Sequence, residues 1–414
     1  MAVMRPSDDP RLVRRAQRLE YGRALPLGVL LPMETTLFVA IALRHFDAPG
    51  LVKGLVAASA GVGLLATPFV TSWARRWQRP VMVLVGVLCA IGSAGLLLAS
   101  VGPLATFVIG AIIGIASINA LYTLVTVTYE RNLPPAEIGR RVGRAMSLKV
   151  LVQAGAGLAM GWFLTVRLDL WWCVPLLGAL MLAILVVLHV RIPSDPLPSV
   201  PGVRNRPWPH FHLLRDDRRL RLTLVAWMLM GFGNLMLLPL RIEYLGNPRY
   251  GIDASTTLIA VLTVVIPSIV RLSTMPMFGW VFDRLSFFSS RILVNFLFAL
   301  YVAAFFTGTS MTGLVIGAML LGVGSAGGDL TWNLWVTKFA PAGRVADYMG
   351  LHTFFTGTRA IAAPIIGFAI IDTTPLSTVA LMAAGLMVAA SFVLVPEMRV
   401  ERRARAEAAA VTAP

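Results

Sequence analysis

A run of about 20 apolar residues recurs roughly twelve times in this chain, and short charged stretches separate the runs. Each run can cross a ~30 Å hydrocarbon core as a helix, at ~1.5 Å rise per residue. The runs are rich in Leu, Ala, Val and Gly and do not alternate polar with apolar, so helices are favoured over a β-barrel. The expected spans are 25–43, 54–74, 80–100, 103–128, 147–166, 170–190, 221–240, 254–276, 291–309, 312–335, 350–371 and 376–395. Composition agrees: 57% of residues are hydrophobic and 14% charged, against about 25% charged in a soluble protein. The deficit runs the length of the chain, which excludes a soluble domain on a single anchor. The opening MAVMRPSDDPRLVRRAQRLEYGR lacks the apolar core of a cleavable signal, so the first span is expected to stay in the protein.

The formal charge of +16 is a nucleic-acid signal only until its placement is read. Twelve spans put both termini on one side. That side collects Arg14, Arg15, Arg18, Arg75, Arg76, Arg79, Arg140, Arg141, Arg144, Arg215, Arg218, Arg219, Arg402 and Arg403. The opposite loops keep Arg44, Lys53, Arg167 and Arg249. This asymmetry is the positive-inside bias; it predicts cytoplasmic termini in a bacterial-type inner (plasma) membrane and argues against nucleic acid as a partner. Cys89 and Cys173 fall inside spans and suggest small packing residues, not a disulfide or metal cluster. His210 and His212 have no Cys or carboxylate at ligand spacing and read as loop residues, so neither a metal nor a cofactor is expected.

The segment PSDPLPSVPGVRNRPWPHFHLLRDDRRLR, rich in Pro and Arg, is the longest gap between spans and reads as a cytoplasmic linker. The expected organisation is a cytoplasmic segment 1–24, a six-helix bundle 25–193, a linker 194–220, a second bundle 221–397 and a cytoplasmic tail 398–414. A shift of half the chain aligns Leu30-Leu31-Pro32 with Leu237-Leu238-Pro239, Trp73 with Trp280, Gly110 with Gly317, Pro134 with Pro341, Gly143 with Gly350 and Gly178 with Gly385. The shared register suggests a duplicated unit whose two copies are related by an axis along the membrane normal. Polar residues concentrate in spans 1, 4, 7 and 10, whereas spans 3, 6 and 12 are almost purely apolar and span 9 carries little beyond Asn295. Every third span is therefore expected to face lipid.

Gly279-Trp280-Val281-Phe282-Asp283-Arg284, with Arg291 beyond, resembles the G-x-x-x-D-R-x-x-x-R/K loop motif of the major facilitator superfamily, and the resemblance extends over essentially the whole chain. In that motif the Gly permits close helix contact, the Asp caps or pairs with a neighbouring helix end, and the basic residues stay at the cytoplasmic surface. The equivalent loop after span 2, Ser72-Trp73-Ala74-Arg75-Arg76-Trp77, has lost both the Gly and the Asp. PPAEIGRRVGR, from Pro134 to Arg144, resembles the Pro- and Arg-rich loop before the fifth helix. The antiporter signature G-P-x-x-G-G is absent from span 5, which reads QAGAGLAMGW. The resemblance implies an all-α membrane fold of twelve transmembrane helices in two pseudo-symmetric bundles that rock around a central site, and no particular substrate.

Ionisable residues inside the membrane are functional candidates by default, because burying them costs at least ~2.5–3.5 kcal/mol. Glu34 and Arg359 lie near the midplane, Arg271 about 12 Å from the cytoplasmic end of span 8, and Asp329 in the cytoplasmic half of span 10. Arg241 lies at the outer end of span 7 by hydropathy but deeper by the repeat register. An Asp329–Arg359 ion pair is one structural alternative to function. Asn119, Tyr122 and Thr126 form a polar stripe on span 4, as Lys149 and Gln153 do on span 5; Asn234 stands on span 7, and Asp329, Trp332 and Asn333 share a face of span 10. The binding candidates are Glu34, Asn119, Tyr122, Asn234, Arg271, Asp329, Trp332, Asn333 and Arg359, and the gating candidates Gly279, Asp283, Arg284 and Arg291. Three arginines against two carboxylates tilt the expectation toward an anionic or zwitterionic solute. The expected function is secondary active transport, coupled to protons through Glu34, by a monomer. Uncoupled diffusion, export, and a non-transporting sensor or assembly factor are the alternatives. No nucleophile elbow, His-carboxylate cluster or P-loop supports an enzyme or a built-in ATPase.

Overall fold

The structure is a computed structural model that describes residues 9–134, 137–197, 211–340 and 345–412; the side chains of 130, 282, 283, 330, 333–339, 345–347 and 402–412 are outside the description. The described residues are almost wholly helical, without strands. Eleven helices among them are long and apolar enough to span a membrane, and a pair bent by 42° makes a twelfth. They are α1 (10–44), α2 (Gly50–Ala57 and Ser59–Trp77), α3 (Val81–Ala99), α4 (Leu104–Ala120 and Tyr122–Asn132), α5 (Ile138–Val166), α6 (Cys173–Val190), α7 (Arg218–Gly246), α8 (256–284), α9 (Phe287–Phe306), α10 (Met311–Phe339), α11 (Val345–Ile370) and α12 (Leu376–Thr412).

Several helices outrun the spans expected from hydropathy. α1 starts at Pro10, with Asp9 capping the Arg11 amide at 2.7 Å, and α5 starts at Ile138 rather than near 147. Hydropathy detects only the apolar part of a helix; Arg, Leu and Ala are strong helix formers and carry the same helix past the membrane boundary. The proposed boundary at residues 24/25 therefore falls inside α1.

α1–α6 and α7–α12 each form a bundle. In the first, α3 packs between α4 and α6; in the second, α12 packs against α7 and α9. The outer faces of α3, α6, α9 and α12 carry exposed Ile91, Leu97, Leu180, Leu300 and Phe392, as lipid-facing helices require. The bundles meet through α1, α2, α5, α7, α8 and α11.

Two features position the interface. α1 and α8 each contain one π-helical turn, Met33–Leu37 and Val261–Val265, and the turns face each other through a 3.1 Å contact between the Thr36 and Thr263 hydroxyls. α2 and α11 cross with almost no side chain between them. A Cβ on Gly61 meets the Ala360 carbonyl carbon at 2.7 Å, and one on Gly357 meets the Leu65 nitrogen at 2.5 Å, so only glycine permits this approach.

Candidate functional site

The side of the molecule that carries the start of α1 and the ends of α6 and α12 is here the terminal face, and its opposite the distal face. Every described hydrogen bond or ion pair between the bundles lies in the distal half. Lys53 of α2 binds Glu243 of α7 at 2.6 Å, both side chains being buried. Glu243 also accepts 2.7 Å from Asn247 and has Arg249 at 3.7 Å. Arg44 reaches Asp253 at 3.2 Å and donates to the Ala254 carbonyl. The Thr165 and Thr257 hydroxyls meet at 2.8 Å.

Toward the terminal face the same helix surfaces lose their partners. On α5, Gly157 and Gly161 press against Val264 and Ala260 of α8, whereas Gly139, on the same face about five turns earlier, meets no described atom within 4 Å, and neither does Gly143. On α11, Gly357 touches α2, but Gly350, about two turns earlier, meets nothing described. Among the described residues the bundles are closed distally and parted terminally.

Charged groups gather where the contact ends. Glu34 projects from the π-helical turn of α1, with the Asn119 amide against it and Lys149 of α5 in its field. Asn119 also donates 3.0 Å to the Ile115 carbonyl, which fixes its orientation. Tyr122 follows after a break in α4 at Leu121, lies 38% exposed, and stands in the field of Glu34, Arg23 and Arg271. From the other bundle, Arg271 of α8 forms an ion pair with Asp329 of α10. Lys149 is half-buried and feels both members of that pair as well as Glu34. The Asn234 and Gln153 carbonyl oxygens are buried and have no hydrogen-bond partner among the described residues.

Other candidates go elsewhere. The alternative Asp329–Arg359 pair does not form, because Arg271 occupies Asp329. Arg359 instead lies against Gly231, donates to the Trp227 carbonyl and to Thr356 at 3.2 Å, and so ties α11 to α7. Arg241 faces neither the site nor the outer surface. It is 2% exposed, donates 3.0 Å to the Leu238 carbonyl, and sits beside Tyr301 inside the second bundle. Trp332 packs on His352 with ring centroids 5.5 Å apart, a packing role. The Asn333 and Asp283 side chains lie outside the described residues.

The gating loop departs from expectation at two positions. Arg291 is 3% exposed rather than at the surface. Its guanidinium lies 3.6 Å from the Trp227 ring centroid and donates 3.3 Å to Thr331, since an aromatic face and a hydroxyl replace the water that an arginine otherwise requires. Gly279 meets no described atom within 4 Å. Arg284 is exposed and stacks on Trp280 at 4.2 Å, as a surface residue of that loop should.

Sequence reasoning missed two sets of residues. Lys149 stands in the polar stripe of span 5, and the structure brings it into the field of Arg271, Asp329, Arg23 and Glu34. Buried Arg23 binds Glu20 at 2.8 Å and the Tyr129 hydroxyl, although both Glu20 and Arg23 read as part of the solvated flank. Their i, i+3 spacing was the available signal.

Two helical bundles, sealed on one side and parted on the other around an embedded charged cluster, define an α-helical membrane transporter. The chain belongs to the Major Facilitator Superfamily, whose description it matches over residues 27–357. Its fold is similar to that of the nucleoside transporter NupG (16% identity, TM-score 0.71, covering 93% of this chain and 98% of that one). It is also similar to the inward-open xylose transporter XylE from E. coli (14%, 0.62, 92% and 93%), and to a POT family transporter in complex with a thioalcohol-conjugated peptide (12%, 0.67, 94% and 97%). At these identities the likeness concerns the fold alone. No curated protein matches the sequence. Family and neighbours point to a transporter of small solutes, not an enzyme.

Proposed function

We propose that this protein is a secondary active transporter that moves a small anionic or zwitterionic solute by alternating access, coupled to protons through Glu34. One observation carries the reading: an embedded carboxylate sits where inter-bundle contact ends, with a polar amide and a cation beside it but no ion-pair partner within 4.0 Å among the described residues. Such a group is exposed to whatever enters from the parted side. The positive-inside bias makes that side the cytoplasm, so the conformer is inward-open in an inner membrane. The protein acts as a monomer, each chain supplying both halves of its site.

The test replaces Glu34 with glutamine, which fixes a neutral side chain of nearly the same volume. Purified variant and parent are reconstituted in proteoliposomes with a substrate found by thermal-shift screening. The expected result is loss of accumulation against a pH gradient, with binding and counterflow retained. Normal pH-driven accumulation by Glu34→Gln removes Glu34 as the proton carrier and makes Asp329 the next candidate.

A further inference from the structure

The charges around the site balance in pairs, with one exception that spans two helices. Arg23 is neutralised by Glu20 and held by Tyr129. Arg271 is neutralised by Asp329. Glu34 and Lys149 remain. Each lies in the other's field, and neither has an ion-pair partner within 4.0 Å among the described residues. Both belong to the first bundle, on helices that pack closely: a Cβ on Gly28 of α1 meets the Lys149 carbonyl oxygen at 2.7 Å. The other charged and titratable groups that act on the two come from four helices. Glu34 sees Asn119 and Tyr122 from α4 and Lys149 from α5; Lys149 sees Glu34 and Arg23 from α1, Arg271 from α8 and Asp329 from α10.

Two opposite charges held near each other but unjoined, at the edge of the parted region, are receptors for two separate ligands. We propose that Lys149 receives the carboxylate of a small monoanionic solute while Glu34 receives a proton, so that the bundles close only over a site of zero net charge. The inference rests on the transport reading above and narrows its substrate to an organic monoanion.

Charge balance then supplies the coupling. In the empty site Glu34 and Lys149 cancel. Anion alone leaves one surplus negative charge, and proton alone leaves one surplus positive charge. With both bound, the protonated Glu34 is neutral and the carboxylate cancels Lys149. Closure of the terminal side strips water from the cluster, and an uncompensated charge in that environment is expensive. Only the empty and the doubly loaded forms cross, which is one-to-one, electroneutral proton–anion symport. A zwitterion brings no net charge and needs no proton, so it is excluded as a coupled substrate. The Arg271–Asp329 pair forms the opposite wall without changing the sum.

The same balance of states predicts that Glu34→Gln retains counterflow. Its loaded form is neutral and exchanges, whereas its empty form carries the uncancelled Lys149 and cannot return.

The test uses purified full-length protein and a fixed panel: lactate, pyruvate, gluconate and benzoate, each beside its amide, with alanine as the zwitterion. Thermal shift should show stabilisation of the parent by at least one acid and not by its amide or by alanine. Lys149→Gln should bind that acid at least about tenfold more weakly, the loss of one charge-assisted contact, and Lys149→Arg should keep the response. Ligand-free melting of each variant establishes folding. If Lys149→Gln does not fold, parent proteoliposomes decide: accumulation of the acid should follow a pH gradient and ignore a valinomycin-set potential. Equal stabilisation by amide or alanine, no response to any acid, an unchanged response in Lys149→Gln, or accumulation driven by the potential would each overturn the proposal. Accumulation by Glu34→Gln strikes the Glu34 proton reading instead; an unchanged Lys149→Gln strikes only this one.

Discussion

Replacing Lys53 with methionine tests whether the distal ion pair holds the bundles in the observed state. Lys53 and Glu243 meet at 2.6 Å with 8% and 1% side-chain exposure, and they belong to different bundles. The pair must therefore break when the distal side opens and both groups become hydrated. Removing one partner of a buried pair costs about 3–5 kcal/mol. Here Glu243 keeps Asn247 at 2.7 Å and Arg249 at 3.7 Å, and methionine keeps most of the length of the lysine stem while giving up the ammonium's contact with the Phe368 ring, 5.6 Å to its centroid. The cost to the distally closed form should thus fall to about 2 kcal/mol, a shift of about thirtyfold toward distal opening. Thr36→Cys, in a background without Cys89 and Cys173, reports the change, because Thr36 is fully buried against Thr263 at the distal interface. A membrane-impermeant maleimide added on the distal side should label it roughly ten- to a hundredfold faster in Lys53→Met. The double variant with Glu243→Gln leaves no orphan charge and should recover part of the protection. A rate within about twofold of the background, or single and double variants that simply add, would show that the pair does not couple the bundles.

Three further outcomes are expected. Asp329→Asn leaves Arg271 without its carboxylate and, because the two side chains are 28% and 34% exposed, should destabilise the protein by about 1 kcal/mol, read as a lower midpoint in detergent melts; Arg271→Gln with Asp329→Asn should restore most of it. Gly61→Val forces a side chain into the Ala360 backbone and should hold the distal side open, which maximal maleimide labelling of Thr36→Cys would show and an unchanged rate would refute. Asp283→Asn should alter the balance between inward- and outward-open states with folding largely intact, checked by cysteine labelling from both faces.

The apolar runs made the helices legible because each must satisfy its own backbone in lipid. Helix ends were not legible, since Arg-rich turns at the start of α1 and α5 carry no hydropathic signal. Glu34, Asn119, Tyr122, Arg271 and Asp329 were recognisable because a polar group inside an apolar run is costly wherever it points. What a sequence cannot show is direction. Arg241, Arg291 and Arg359 look like Arg271 in one dimension, yet they turn into the second bundle, where Tyr301, Trp227 and backbone carbonyls receive them. Partner choice depends on rotations of adjacent helices that no periodicity reveals, which is why Asp329 found Arg271.

The facing π-helical turns have a consequence for how such a chain tolerates change. A π turn holds one residue more than the α-helix around it needs, so it is an insertion absorbed without breaking the helix. Beyond it, every side chain is displaced by ~100° from the phase that the preceding turns set. Glu34 and Thr36 occupy that displaced stretch of α1, and Thr263 the matching one of α8. Regularising Met33–Leu37 to an α-helix with every residue kept would rotate the whole distal end of α1 by about 100° out of alignment with its neighbours. In these two helices the irregular backbone is the more constrained part, and an ideal helix would be the lesion.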